Sequence, residues 1–96
     1  MKEKIELVLF DIVDLINKQL KKKNRLEKSL DTPLIGENST LDSLGVVNFI
    51  TTTEVKIEEA FDLSITLTED TEFMFSENGP LQSIGTLAIF IAEQLE

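Results

Sequence analysis

The sequence predicts an all-α fold: a four-helix bundle with three long helices, one short helix and a long first loop. Three features point there. Apolar residues recur at three- and four-residue steps in separate segments. Residues that turn or break regular structure gather between those segments. The run from Leu44 to Phe61, with no Pro and no Gly after Gly45, is an ordinary length for a helix and too long for a typical strand.

The first helix is expected from Lys2 to about Lys22, where Ile5, Val8, Leu9, Ile12, Leu15, Ile16 and Leu20 form the apolar face and Asp11, Asp14, Lys18 and Lys21 a polar stripe. Residues 23–41 lose that period and collect Asn24, Pro33, Gly36, Asn38, Ser39 and Thr40, which marks a long loop. The second helix follows Asp42 and Ser43, with Val46, Ile50, Thr53, Ile57, Ala60 and Phe61 on one face. Its many β-branched residues favour strand, and length overrides them. Ser64–Leu67 alternates briefly and reads as an extended connector. Thr68 is expected to cap a short third helix with Glu69 and Asp70 in its first turn. Within it Phe73, Met74 and Phe75 are expected in the core, or as the wall of an acyl cavity. Asn78-Gly79-Pro80 breaks the chain, and Ser83 caps a last helix whose apolar side is Ile84, Leu87, Ala88, Phe90, Ile91 and Leu95.

Residues 1–96 suffice for a single domain with one modest core. Leu, Ile, Val and Phe make up about a third of the chain, well above the level of disordered sequences. There is no Cys and no His, so disulfides, thiolate chemistry, the usual zinc ligands and the usual general base are excluded. Asp62–Glu69 has a faint calcium-loop look, but Leu67 stands where the glycine is needed. No apolar run approaches the length of a membrane span, and the start is unlike a signal peptide, so a soluble, cytoplasmic protein is expected.

Charge is segregated. Against 18 acids there are 9 bases, and six of those bases lie between Lys18 and Lys28. The cluster of Lys21, Lys22, Lys23, Arg25 and Lys28 reads as a solvated helix end ahead of a nucleic-acid patch. Residues 29–96 hold 13 acids and only Lys56 as a base, which disfavours nucleic acid and anionic membrane and suits partners with basic faces.

The string Leu41-Asp42-Ser43-Leu44-Gly45-Val46-Val47-Asn48-Phe49-Ile50 follows Asp31-Thr32-Pro33-Leu34-Ile35 in the loop. Glu58-Glu59-Ala60-Phe61-Asp62 ends the second helix, and Ile84-Gly85-Thr86-Leu87 opens the last. Together these resemble an acyl carrier protein of the stand-alone, specialised-pathway type, over most of the chain. The resemblance implies an acyl-carrier-protein-like bundle and a non-catalytic carrier. It implies 4'-phosphopantetheine joined covalently to Ser43 by a phosphopantetheinyl transferase (holo-ACP synthase) using coenzyme A, with Asp42 and Leu44 flanking the site. Cargo would travel as a thioester on that arm, in fatty-acid-like or secondary-metabolite biosynthesis. Further implied partners are an acyl- or aminoacyl-activating ligase and ketosynthase or acyltransferase enzymes, with no nucleic acid, no membrane insertion and a monomeric chain.

Read from the local tripeptide alone, Ser43 is a plain helix cap, and Asp42 is a capping candidate too. The second helix is about one turn longer than in housekeeping fatty-acid carriers, and its first half has no acid before Glu54. Leu44 and Val47, with Glu54 and Glu58 further along, are therefore the expected partner contacts. Glu54, Glu58 and Asp62 fit a docking side or a solvated face equally well. An aminoacyl or peptidyl carrier, or an unmodified helical interaction module, is the alternative. A hydrolase built on Ser43 lacks a base to activate the hydroxyl.

Overall fold

The computed structural model describes residues 2–67 and 70–95. Helix α1 (Lys2–Asn17) buries Ile5, Leu9, Ile12, Val13 and Ile16, packing against two other helices of the bundle. Wedging between two neighbours rotates and widens its apolar face. Val13 is therefore fully buried, and Leu15, expected in the core, lies at the surface.

The helix also stops earlier than its apolar period suggests. Asn17 Nδ2 donates to the Leu26 carbonyl at 2.9 Å, and Asn17 Oδ1 accepts the Leu26 N–H at 2.8 Å. This two-way clamp turns the chain and returns Leu26 to the core. Leu20 is only half-buried, and Lys22–Asn24 form a single 3-10 turn. The basic cluster thus lies just beyond the carboxyl end of α1, where cations suit the helix dipole. Lys28 reaches back to Asp14 at 3.0 Å.

Helix α2 (Ser43–Phe61) buries Val46, Phe49, Ile50, Thr53 and Ile57 along one face, each large apolar side chain contributing roughly 1.5–3 kcal/mol. The fully buried Thr53 hydroxyl donates to the Phe49 carbonyl at 2.7 Å, so its polar atom costs little there. The helix ends at Asp62, whose left-handed backbone (φ 56°, ψ 33°) directs its N–H to the Glu58 carbonyl at 2.9 Å. Asp tolerates that conformation better than most residues.

Helix α3 (Thr71–Met74) is one turn long. Thr68 and Glu69, expected at its cap and first turn, lie outside the described residues. Asp70 Oδ1 accepts the Phe73 N–H at 3.2 Å and supplies a cap. Of the three consecutive apolar residues expected in the core, only Met74 is buried, while Phe73 and Phe75 are exposed. A single turn can aim only one of three adjacent side chains inward.

A 3-10 turn at Pro80–Gln82 leads into α4 (Ile84–Leu95), which buries Ile84, Leu87, Ala88 and Ile91. Ser83 caps it as expected: its Oγ accepts the Thr86 N–H at 3.1 Å, while Thr86 Oγ1 accepts the Ser83 N–H at 2.9 Å. This is a capping box with Thr in place of Glu. The first two amides of α4 are satisfied by the long loop: Ile84 N–H donates to Thr32 O at 3.0 Å and Gly85 N–H to Leu30 O at 2.8 Å. Gly85 permits that approach, since a Cβ there would lie 3.0 Å from the Leu30 carbonyl oxygen. The described residues are all helix, turn and loop, with no strand, and none of their helices is long and apolar enough to cross a membrane.

Candidate functional site

The approach to α2 is built by short side chains that hold loop backbone. Buried Leu34 anchors the loop, and its carbonyl accepts the Ser39 hydroxyl at 2.9 Å. Ser39 Oγ also accepts the Leu41 N–H at 3.2 Å, while Thr40 Oγ1 donates to the Asn24 carbonyl at 2.8 Å. Residues 39–41 are thereby fixed against the loop's own first turn. A cleft of about 330 Å3, lined in part by Arg25, Thr32, Asn38 and Thr40, opens beside them.

At the helix start the two candidate caps separate. Asp42 has an extended backbone (φ −83°, ψ 179°), and its Oδ1 accepts the Gly45 N–H at 2.7 Å, which makes it the N-cap. Its main-chain carbonyl takes the Val46 N–H at 3.0 Å. Gly45 accommodates this carboxylate: a Cβ there would sit 3.2 Å from Asp42 Oδ1 and 3.2 Å from Leu41 Cδ2. Ser43 is the first helical residue, is exposed, and its hydroxyl makes no hydrogen bond among the described residues. The N–H groups of Ser43 and Leu44 likewise find no protein acceptor among the described residues, leaving two donors and the positive helix end turned to solvent.

Beyond the serine, Leu44 is 77% exposed and Val47 48% exposed. With Thr51, Val55 and Glu58 they follow three- and four-residue steps, so one stripe of α2 runs from Ser43 to an exposed carboxylate. Val46 and Phe49, the other apolar residues of this stretch, belong to the core. Glu54, three residues after Thr51 and four before Glu58, lies along the same stripe at its half-buried edge, where it accepts the Leu67 N–H at 2.7 Å and ties α2 to the following connector. Asp62 is the helix terminus. Leu44, Val47, Glu54 and Glu58 therefore follow one side of α2 below Ser43 and its cap Asp42, with Glu54 half-buried and bonded to the Leu67 N–H.

Two contributions were not anticipated from the sequence, the accommodation of the cap by Gly45 and the fixing of the approach by Ser39 and Thr40. The Ser39-Thr40 pair ahead of Asp42 was the available signal, because such hydroxyls bond nearby backbone in loops.

The fold and this site define a class: an all-helical chain presenting an unengaged serine hydroxyl at a helix start whose capping is done by its neighbour. No protein-family model matches the chain, and no curated protein or solved structure matches it either.

Proposed function

We propose that the chain is a carrier protein of the acyl carrier type, modified on Ser43 with 4'-phosphopantetheine by a phosphopantetheinyl transferase. The observation that carries this reading is the division of labour at the start of α2: Asp42 caps the helix, so the Ser43 hydroxyl is exposed and unengaged. A serine needed only as a cap would hold the bond that Asp42 makes.

The site fits the group. An incoming phosphodiester on Ser43 Oγ would meet the open N–H groups of Ser43 and Leu44 and the positive end of a 19-residue helix. The adjacent acid, Asp42, has one carboxylate oxygen already committed to Gly45. When bound, the arm supplies a thiol on which cargo is held as a thioester, consistent with a chain that has no cysteine of its own. The chain's own residues hold the attachment point rigid on α2 and offer Leu44 and Val47 as apolar contacts for enzymes that receive the tethered cargo. Cargo of the acyl or the aminoacyl class uses the same serine.

The stripe of Leu44, Val47 and Val55 favours a second reading, an unmodified helical interaction module, because exposed apolar residues in a row suit a partner surface without any cofactor. Intact mass, before and after incubation with coenzyme A and a broad-specificity phosphopantetheinyl transferase, separates the two. The carrier reading expects a gain of one phosphopantetheine that Ser43→Ala abolishes. No gain, under conditions in which a control carrier is fully loaded, overturns it in favour of the interaction module.

A further inference from the structure

Away from the start of α2, the α3–α4 face carries an aromatic surface that the carrier reading does not use. Phe73 and Ile89 are each 47% exposed, and the Phe73 ring lies 6.0 Å from that of Phe90 at a tilt of 48°. Two clefts open on either side of Phe90. One, of about 290 Å3, runs between the connector before α3 and the end of α4, with Leu67, Phe73 and Met74 in its walls. The other, of about 200 Å3, lies between the Gly79-Pro80 turn and α4, with Ile89 in its wall. The turn is pressed against α3 here, since a Cβ on Gly79 would come 2.3 Å from the Phe73 carbonyl oxygen. Phe90 is a wall of both clefts, so the pair makes a groove interrupted by its ring.

Its charge is of one sign. Asp70 lines the first cleft and Glu93 the second, and no basic side chain lines either among the described residues. The chain has no Lys or Arg after Lys56. A second copy of this chain, itself carrying a net charge of −9, would meet like charge at the same rim, and an anionic lipid surface would do so as well.

We infer that this groove is a docking surface for a basic amphipathic helix of a partner protein. Large apolar side chains one or two turns apart on such a helix enter the two clefts on either side of Phe90, and its Lys or Arg residues pair with Glu93 and Asp70 at the rim. This is the helix-in-groove mode, in which apolar anchors recur at three- and four-residue steps. Burial of the aromatic surface supplies the affinity, and the rim charges select the sign of the partner and speed its arrival. The surface is independent of Ser43, so a chain that is never modified keeps it.

The test is a titration of the full, isotopically labelled chain with a synthetic helical peptide of about twenty residues, with Leu and Trp on one face and Lys on the other. A matched peptide with Glu in place of Lys is the control. The expected result is saturable amide shifts at residues 66–67, 70–74, 78–79 and 86–94 with the Lys peptide alone. Glu93→Lys is expected to weaken binding about threefold, with a flatter salt dependence. Ile89→Ser and Phe73→Ser, both at half-exposed positions, are expected to weaken it about tenfold or more while the melting temperature stays within a few degrees. Ser43→Ala is expected to bind as the unaltered chain does, which separates this surface from the carrier reading. Equal response to the Glu peptide, shifts confined to Leu44–Val55, or no saturation by about 1 mM overturns the inference. A concentration-dependent dimer that Ile89→Ser dissolves also overturns it, by assigning the groove to a second copy.

Discussion

Replacing Asp42 and Ser43 separately by alanine asks which of the two holds the helix and which is free for chemistry. Asp42→Ala removes the 2.7 Å bond to the Gly45 N–H, and loss of an N-cap acceptor costs about 1 kcal/mol. It also removes a negative charge from the positive end of α2, worth about 0.3–1 kcal/mol at a surface site. For a domain of this size each kcal/mol moves the midpoint by about 4–8 °C, so a fall of roughly 5–15 °C is expected. Asp42→Asn keeps an acceptor of similar capping strength and should recover most of that fall. Ser43→Ala removes a hydroxyl that is exposed and bonded to nothing among the described residues, and alanine is the better helix former by a few tenths of a kcal/mol. Its melting temperature should therefore be unchanged or slightly higher, while transferase-dependent mass gain is lost. Thermal melts followed by circular dichroism, with reversibility checked, supply the first readout and intact mass the second. If Ser43→Ala melts as low as Asp42→Ala, the Ser43 hydroxyl is a cap and the main structural support for a modified serine is gone.

Asn17→Ala breaks both bonds to buried Leu26 and should lower stability by about 2–3 kcal/mol, read as a lower urea midpoint together with faster hydrogen exchange at the Leu26 amide. Gly79→Ala would place a Cβ 2.3 Å from the Phe73 carbonyl oxygen and 2.9 Å from that of Met74, so backbone must move. A cost of about 1–3 kcal/mol in chemical denaturation is expected, with amide shifts centred on α3 and the following turn.

The long helices were legible because their apolar residues repeat with the helical period, and in α2 that signal prevailed over a run of β-branched residues. Val46, Ile50, Thr53 and Ile57 do share a buried face, and Thr53 fits there by returning its hydroxyl to the Phe49 carbonyl. The end of α1 was hidden because Asn17 looks like any polar residue on a solvent stripe. Its role is a bond across nine residues to Leu26, which no local pattern encodes. The exposure of Phe73 and Phe75 was hidden for a related reason: hydrophobicity does not report that α3 has only one turn with which to aim them. At the candidate site the residue types were legible and the assignment between them was not. Asp and Ser cap equally well, and only the extended backbone at Asp42 decides which side chain reaches the Gly45 amide.

Part of the loop that leads to Ser43 is held by the start of α4. Leu30 and Thr32 give their carbonyls to the first amides of α4, so the start of α4 and the approach to α2 share one stretch of backbone. Gly85→Ala probes the link. The added Cβ would lie 3.0 Å from the Leu30 carbonyl oxygen and 3.3 Å from Leu30 Cβ, so the loop must recede by a few tenths of an ångström and the bond from the residue 85 amide must lengthen. Against this, alanine within a helix gains about 1 kcal/mol over glycine. The two effects oppose each other, and the melting temperature should move by only a few degrees. Hydrogen exchange should separate them, with faster exchange at residues 84 and 85, whose amides donate to the loop, and unchanged protection at Leu87 and beyond, whose bonds stay within the cap and the helix. Unchanged protection at 84 and 85 would show that the loop yields without loosening. The α4 start would then not be what holds the approach to Ser43.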